Sequence, residues 1–484
     1  MNRTTSICLL FAVAGLGMTE PPSISPPDIR PTNITPTKLG NGAADASPEP
    51  DWVHDVQPII ARRCGRCHRA DGAGPFPLGS YREVASRGGF IVDLVDSGRM
   101  PPWLPENAGW RDDRRLTEDE KTTLRRWVES GANLQREEIG APSGNPTAAS
   151  PPDVGSTVAT NEMVRSLGAA FEVPAESDPA WHQGNIDQRG TTMSLENREP
   201  LRIRGVRIET GAPQAVRLAS FAFDDTGAGR YLDQRDPRVG FLMSADAGLI
   251  PSGAHGIVLG GPDQLRWPEG YHLPVPANAD AVIEWHYRPT GMIESVSPTI
   301  RLELLGEEED SRALRWLPVG VGRVQISAET IQTVDTEPLV MPADAMLVGL
   351  TPRALEITRT IELFEIPPGR TRESGTSILR IGDWDHHQRE TLVFETPRMV
   401  PEGTRFVARF TLDNRSENPA NPDVPAVDIR RGRRTGVLAT LLHVAAISPQ
   451  DDPVLDRLGP EAVKGLRGLG TVRVDQADSV LRIP

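Results

Sequence analysis

The chain has 484 residues, too many for one ordinary core, so two or three domains are expected. Its formal charge of −14 argues against a basic surface for nucleic acid or anionic lipid, and no run approaches the ~20 apolar residues of a membrane-spanning helix. Forty-five glycines and 45 prolines, with only 5% aromatics, point to many turns and several linkers rather than long helices.

Residues 1–19 read as an export signal, which would place the protein in the periplasm or at the cell surface. Arg3 gives a positive start, Ile7–Gly17 is an apolar run of signal-peptide length, and Gly15 and Gly17 suit the cleavage positions. A short uncleaved anchor is the alternative. A lipoprotein fits less well, because Cys8 opens the apolar run instead of following it. Without this segment two cysteines remain, both in one motif, so no structural disulfide is expected. Residues 20–50, rich in Pro, Thr and Ser, read as a flexible tether.

A helical domain is expected at 51–136. At its centre stands Cys64-Gly65-Arg66-Cys67-His68, the C-x-x-C-H spacing of covalent haem attachment. Two thiols three residues apart lie on one side of a helical turn and reach two vinyl groups as thioethers, while the next side chain projects an imidazole at the iron. The competing readings are a redox dithiol and half a zinc site. A redox dithiol does not need the adjacent His and opens a helix after a strand, whereas Val56–Arg63 looks helical. A zinc site lacks partners, because no Cys follows Cys67.

Met100 is the expected second axial ligand. It precedes Pro101 and Pro102, which stiffen the chain beside it, and no other Met lies between Met18 and Met163. A His/Met haem favours electron transfer over oxygen chemistry. His54 is the rival ligand, and Met100 as ordinary core is the bland alternative. Gly74–Leu78 (GPFPL) is expected to cover a haem edge. Thr117-Glu118-Asp119-Glu120 fits a capping box, and Leu124, Trp127 and Val128 repeat at helical spacing before Gly131 ends the run.

Residues 137–157 form a second linker by composition. From there to residue 448 the pattern changes to short β-type runs between Gly, Pro, Asp and Asn, among them Ala215–Phe223, Ala281–Arg288, Thr299–Leu305, Arg359–Ile366, Arg405–Leu412 and Val437–Val444. About 290 residues of this kind suit two sandwich or jelly-roll units. The expected fold class is therefore a small all-α domain followed by two all-β jelly-roll-like subdomains, 158–312 and 313–448. Residues 449–484 carry no assignable signal.

The stretch from Asp55 to Leu78, with Ser97–Trp103 and Leu116–Ala132, resembles the cytochrome c domains of large exported proteins typical of planctomycetes and related bacteria. In many of those a copper type II, ascorbate-dependent monooxygenase domain follows, the class of peptidylglycine α-hydroxylating and dopamine β-monooxygenases. The rest of this chain is similar to that module at Arg266–Gly270 with Ile283–Gly291, at Glu365–Gly369, and at Asp383–Asp385 with Pro401–Arg405 and Asp413–Pro419. The resemblance implies two β subdomains with a cleft between them and two coppers, one held by three His and the other by a His-x-His pair and a Met.

This chain departs from that pattern. The adjacent His pair is missing near Val216–Ala219, the His-x-His at Pro352–Leu355 and the Met near Thr435–Leu438, so His286 alone matches a ligand position. One imidazole does not hold a catalytic copper, and copper is not expected. His386 and His387 beside Asp383 and Asp385 form a second candidate, with a solvated turn as the simpler reading. Alternation along Val282–Arg288 puts Glu284 and His286 on one face. If Arg217 and Arg353 both enter the former copper cleft, they would favour an anion or carboxylate.

The sequence thus points to an exported c-type cytochrome with one covalent haem, exchanging electrons with unidentified donor and acceptor partners. Its β module would bind or position, without catalysing. The alternative is an active copper- and ascorbate-dependent monooxygenase fed by its own haem; a haem sensor is a third reading.

Overall fold

Asp51 caps the first helical turn, its carboxylate accepting from the His54 N–H at 2.7 Å. A π-helical turn, Trp52–Val56, runs into α1 (Gln57–Arg63), followed by α2 (Tyr81–Ala85), α3 (Gly88–Asp96) and α4 (Glu118–Glu129). Both α2 and α4 open with complete capping boxes, Ser80 with Glu83 and Thr117 with Glu120. Gly131 stops the last helix at φ +94°. The helices meet in one small core around Trp52, Ile60, Val84, Leu124 and Trp127. Tyr81 packs edge-on against both tryptophans, and its hydroxyl donates to the Ala132 carbonyl at 2.9 Å.

The computed structural model describes residues 49–134, 161–177, 182–183, 186–241, 259–260, 264–321, 324–386, 390–430, 438–465, 473–474 and 481–482, apart from 71, 73, 103, 104, 108 and 112. The expected signal segment, the linker 137–157, almost all of the tether 20–50, and His387 lie outside these residues.

Each β-type run anticipated from the sequence is a strand, with ends shifted by one or two residues. In the first half, one sheet has the order Glu162–Ser166, Thr299–Leu304, Leu201–Glu209, Tyr271–Val275, Arg312–Ala313. The other has the order His182–Gln183, Ile186–Ser194, Asp280–Tyr287, Val216–Asp224, Leu259–Gly260. Every residue of the central strand Asp280–Tyr287 is buried, so both of its faces are covered. In the second half, Arg315–Val321, Leu438–Ala446, Ala345–Arg353 and Leu392–Val400 form one sheet, and Thr330–Asp335, Arg405–Asn414, Thr358–Ile366 and Thr376–Ile381 another. Each half has a large apolar core. That of the first half also takes in Trp316, Val348, Val393 and Ala445 from the second, so the halves are packed together.

Two further helices complete the described residues. α5 (Ala228–Arg235) lies against Ile186–Ser194. α6 (Asp452–Gly465) docks on Arg315–Val321, burying Leu455 while Arg315 pairs with Asp452 and Asp456 at 2.7 Å each. Part of the tail, silent in sequence, is therefore a helix packed on the β body. Among the described residues no helix is long and apolar enough to cross a membrane.

The expected fold class needs correction. Among the described residues 40% are strand and 18% helix, and no sizeable all-α domain precedes two independent jelly rolls. The described residues from Glu49 onward belong to one compact unit. The helices share one small apolar core of their own. Between α3 and α4 the chain leaves them and runs along the β body. Trp110 bridges to Phe394 there and joins the second β core.

Candidate functional site

The C-x-x-C-H turn begins where α1 runs out. Cys64 is its C-cap, and the N–H groups of Cys67 and His68 both return to the Cys64 carbonyl, at 3.1 and 3.0 Å. That turn gathers two thiols and an imidazole within five residues. The chain then folds back over it: Gly74 N–H donates to the Cys67 carbonyl and Leu78 N–H to the His68 carbonyl, each at 2.8 Å. Two glycines permit the approach. A Cβ at position 72 would stand 2.1 Å from the Cys67 oxygen, and one at position 74 would stand 2.8 Å from His68 Nδ1.

His68 Nδ1 lies 2.8 Å from the Phe76 carbonyl oxygen. A carbonyl only accepts, so the proton sits on Nδ1 and the lone pair on Nε2. An imidazole ligand is normally fixed this way, by a backbone acceptor on its other nitrogen. The expected edge-covering loop Gly74–Leu78 thus supplies the acceptor itself, and the Phe76 ring packs against His68 at 5.2 Å between centroids.

Neither cysteine is in a disulfide. Burial pushes the Cys64 thiol up to about 12, helped by Cys67 and Glu120. Burial also raises the Cys67 thiol, with Arg114 opposing it and Glu390 reinforcing it. A redox dithiol works with a depressed pKa, the opposite of what burial gives these thiols. Among the described residues no group of three or more His, Cys, Asp or Glu is placed to hold a metal ion, which leaves a zinc site without its ligand set.

Met100 is half-buried just past α3, its N–H bonded to the Leu94 carbonyl at 3.1 Å, and it is not part of the helical core among the described residues. His54 is exposed, with Nδ1 held 2.9 Å from the Asp51 carboxylate, so it serves the helix start. Two thiols and an imidazole with its lone pair on Nε2, gathered in one turn, are donor types that suit covalent haem attachment.

The β candidates assemble differently. His286 is fully buried, and its Nε2 lies 2.7 Å from Glu284 Oε1 on the same strand face. Arg353 Nη2 is 3.7 Å from the other Glu284 oxygen, and the His386 ring stacks 5.8 Å from that of His286. His386 Nδ1 donates to the Ala354 carbonyl at 2.9 Å. Glu284 and Arg353 thus answer each other, and Arg217 is exposed on Val216–Asp224. The two arginines do not form one anion site. Glu284, His286, His386 and Arg353 thus meet in one cluster, with a guanidinium's positive charge close to the imidazoles.

Two histidines and one ion pair carry no signal in the sequence. His443 is fully buried, bonded to Thr351 Oγ1 at 2.8 Å and packed against Trp316 and Trp267. His272 faces Ser311 Oγ at 2.8 Å. Arg114 and Glu390 form a buried bidentate pair at 2.6 and 3.1 Å, across 276 positions of sequence, with no local signal for either.

No protein-family model and no curated protein matches the chain. Among solved structures, the STIV MCP is similar with a TM-score of 0.22 at 11% identity, covering 52% of this chain and 96% of that one. A223, a turret protein of Sulfolobus turreted icosahedral virus, gives 0.15 at 12%, covering 59% and 99%. The infectious bursal disease virus VP2 subviral particle gives 0.18 at 8%, covering 56% and 75%. At these scores the likeness assigns neither fold nor function.

Proposed function

We propose that this protein is an exported c-type cytochrome that transfers single electrons. Cys64 and Cys67 hold one haem through thioethers, His68 Nε2 and Met100 Sδ ligate its iron, and the β body positions the redox unit without copper chemistry of its own. The observation that carries this reading is the bond from His68 Nδ1 to the Phe76 carbonyl, inside a turn that keeps two neutral thiols beside it. When bound, the haem supplies a one-electron couple whose potential rises with Met ligation. The protein's part is to fix the imidazole's tautomer, to shield one edge with Gly74–Leu78, and to set the local charge. The donor and acceptor are redox partners outside this chain; the acidic balance argues against nucleic acid.

The test is expression with a c-type maturation system, followed by a pyridine haemochrome spectrum and the mass of the peptide spanning 64–68. One haem per chain, resistant to acid-acetone extraction, is expected. Removable haem or none would sink the reading. Copper retained stoichiometrically after dialysis, with ascorbate-dependent oxygen uptake, would favour the monooxygenase instead.

A further inference from the structure

The segment between α3 and α4 ties the haem turn to the β body. Glu106 N–H donates to the Arg380 carbonyl at 2.7 Å, Glu395 N–H to Gly109 at 2.8 Å, and Arg111 N–H to Val393 at 2.9 Å. Trp110 stacks on Phe394 with centroids 4.4 Å apart. At the end of this strap Arg114 enters the buried bidentate pair with Glu390, each residue only 8% exposed. The strap also touches the haem turn: the Arg63 guanidinium, next to Cys64, donates to the Asp113 carbonyl at 2.5 Å. Asp113 immediately precedes Arg114, so the buried pair sits one residue from the contact that joins the strap to the C-x-x-C-H turn.

We infer that the Arg114–Glu390 pair sets the haem potential, with the carboxylate of the β body neutralising a buried cation at the end of the strap that touches the C-x-x-C-H turn. This rests on the haem reading. Reduction adds one electron and removes one positive charge at the iron, so an uncompensated guanidinium nearby favours the ferrous form and an uncompensated carboxylate the ferric form. The pair is shielded from solvent, and salt screens it little. Arg114 and Glu390 would act on the haem through their charge and not as its ligands.

The experiment is spectroelectrochemical titration of the full-length holoprotein against one-electron mediators. Glu390→Gln is expected to raise the ferrous-to-ferric ratio at fixed applied potential about tenfold, a shift of about +59 mV for a one-electron couple. Arg114→Gln should move it the opposite way, and the double variant should return close to wild type. A purely structural role would not give opposite signs that cancel. Removing one partner leaves a buried charge and risks misfolding, so Glu390→Asp serves as the conservative variant. It keeps the charge at shorter reach and should give a rise of the same sign, about twofold in the ratio. Covalent haem with a potential unmoved in the Gln and Asp variants overturns this inference alone. A wild-type chain without covalent haem overturns the underlying reading as well.

Discussion

The helical segment and the β body distribute their chemistry in opposite ways. In the helices the reactive groups are neighbours in sequence: Cys64, Cys67 and His68 share one turn, and the acceptor that orients the imidazole is eight residues on. In the β body the polar groups come from afar. Glu284 and His286 share a strand, but Arg353 and His386 reach them from the second half, and His443 meets Thr351 across 92 positions. The lesson is that spacing alone can mark a candidate site built within one turn. A buried polar cluster between sheets is legible only as isolated letters.

The strongest test of this contrast is Cys64→Ala with Cys67→Ala. If the chemistry is local to one turn, covalent haem disappears entirely while the far-ultraviolet circular dichroism of the strands is kept. Haem retained in covalent form would show that the turn is not the attachment site.

Trp110→Ala probes how separate the two regions are. Removing a buried aromatic from the second core should cost about 3–5 kcal/mol in denaturant unfolding, and it should expose the strap around residues 105–116 to protease. Unchanged stability would make the helical segment independent, against the packing of Trp110 on Phe394.

Acid should separate the regions next. His272 is held down to about 4 by burial and then by Arg202 and Arg315, and His443 is held well below 6.5 by burial alone. The unfolded chain binds these protons near pH 6.5 and the folded chain does not, so stability falls as pH drops from 6.5 toward 4. The β body should lose a melting midpoint on the order of 5 °C over that window, and His272→Gln should flatten part of the slope. A midpoint indifferent to pH there would contradict the burial of these rings.

The smallest effect is expected at a feature visible in both sequence and structure. Thr117→Ala removes the side chain that accepts from Glu120 N–H at 3.1 Å and should cost about 1 kcal/mol, read as earlier unfolding of the helical signal. A shift in the strand transition of equal size would mean that α4 and the β body unfold as one.

Much of the local structure was legible in the sequence. The capping box at Thr117, the stop at Gly131 and the strand runs follow from rules acting over two to five residues. Leu124 and Trp127 fall into the core as their spacing requires. The tail was not legible as α6 because its weight rests on Leu455 and on two carboxylates whose partner, Arg315, is far away in sequence.

The sequence by itself determined the C-x-x-C-H turn on which the proposed haem rests. Thioether attachment would require that spacing within one turn, and local backbone chemistry supplies the turn. Only the tertiary structure decided that the helices do not form a domain of their own. Their core is small, and Trp110 and Arg114 find their partners in Phe394 and Glu390 across more than 270 residues. Such pairings leave no periodicity in the chain. They are chosen by burial, which rewards an apolar ring and a fully bonded ion pair wherever folding brings them together.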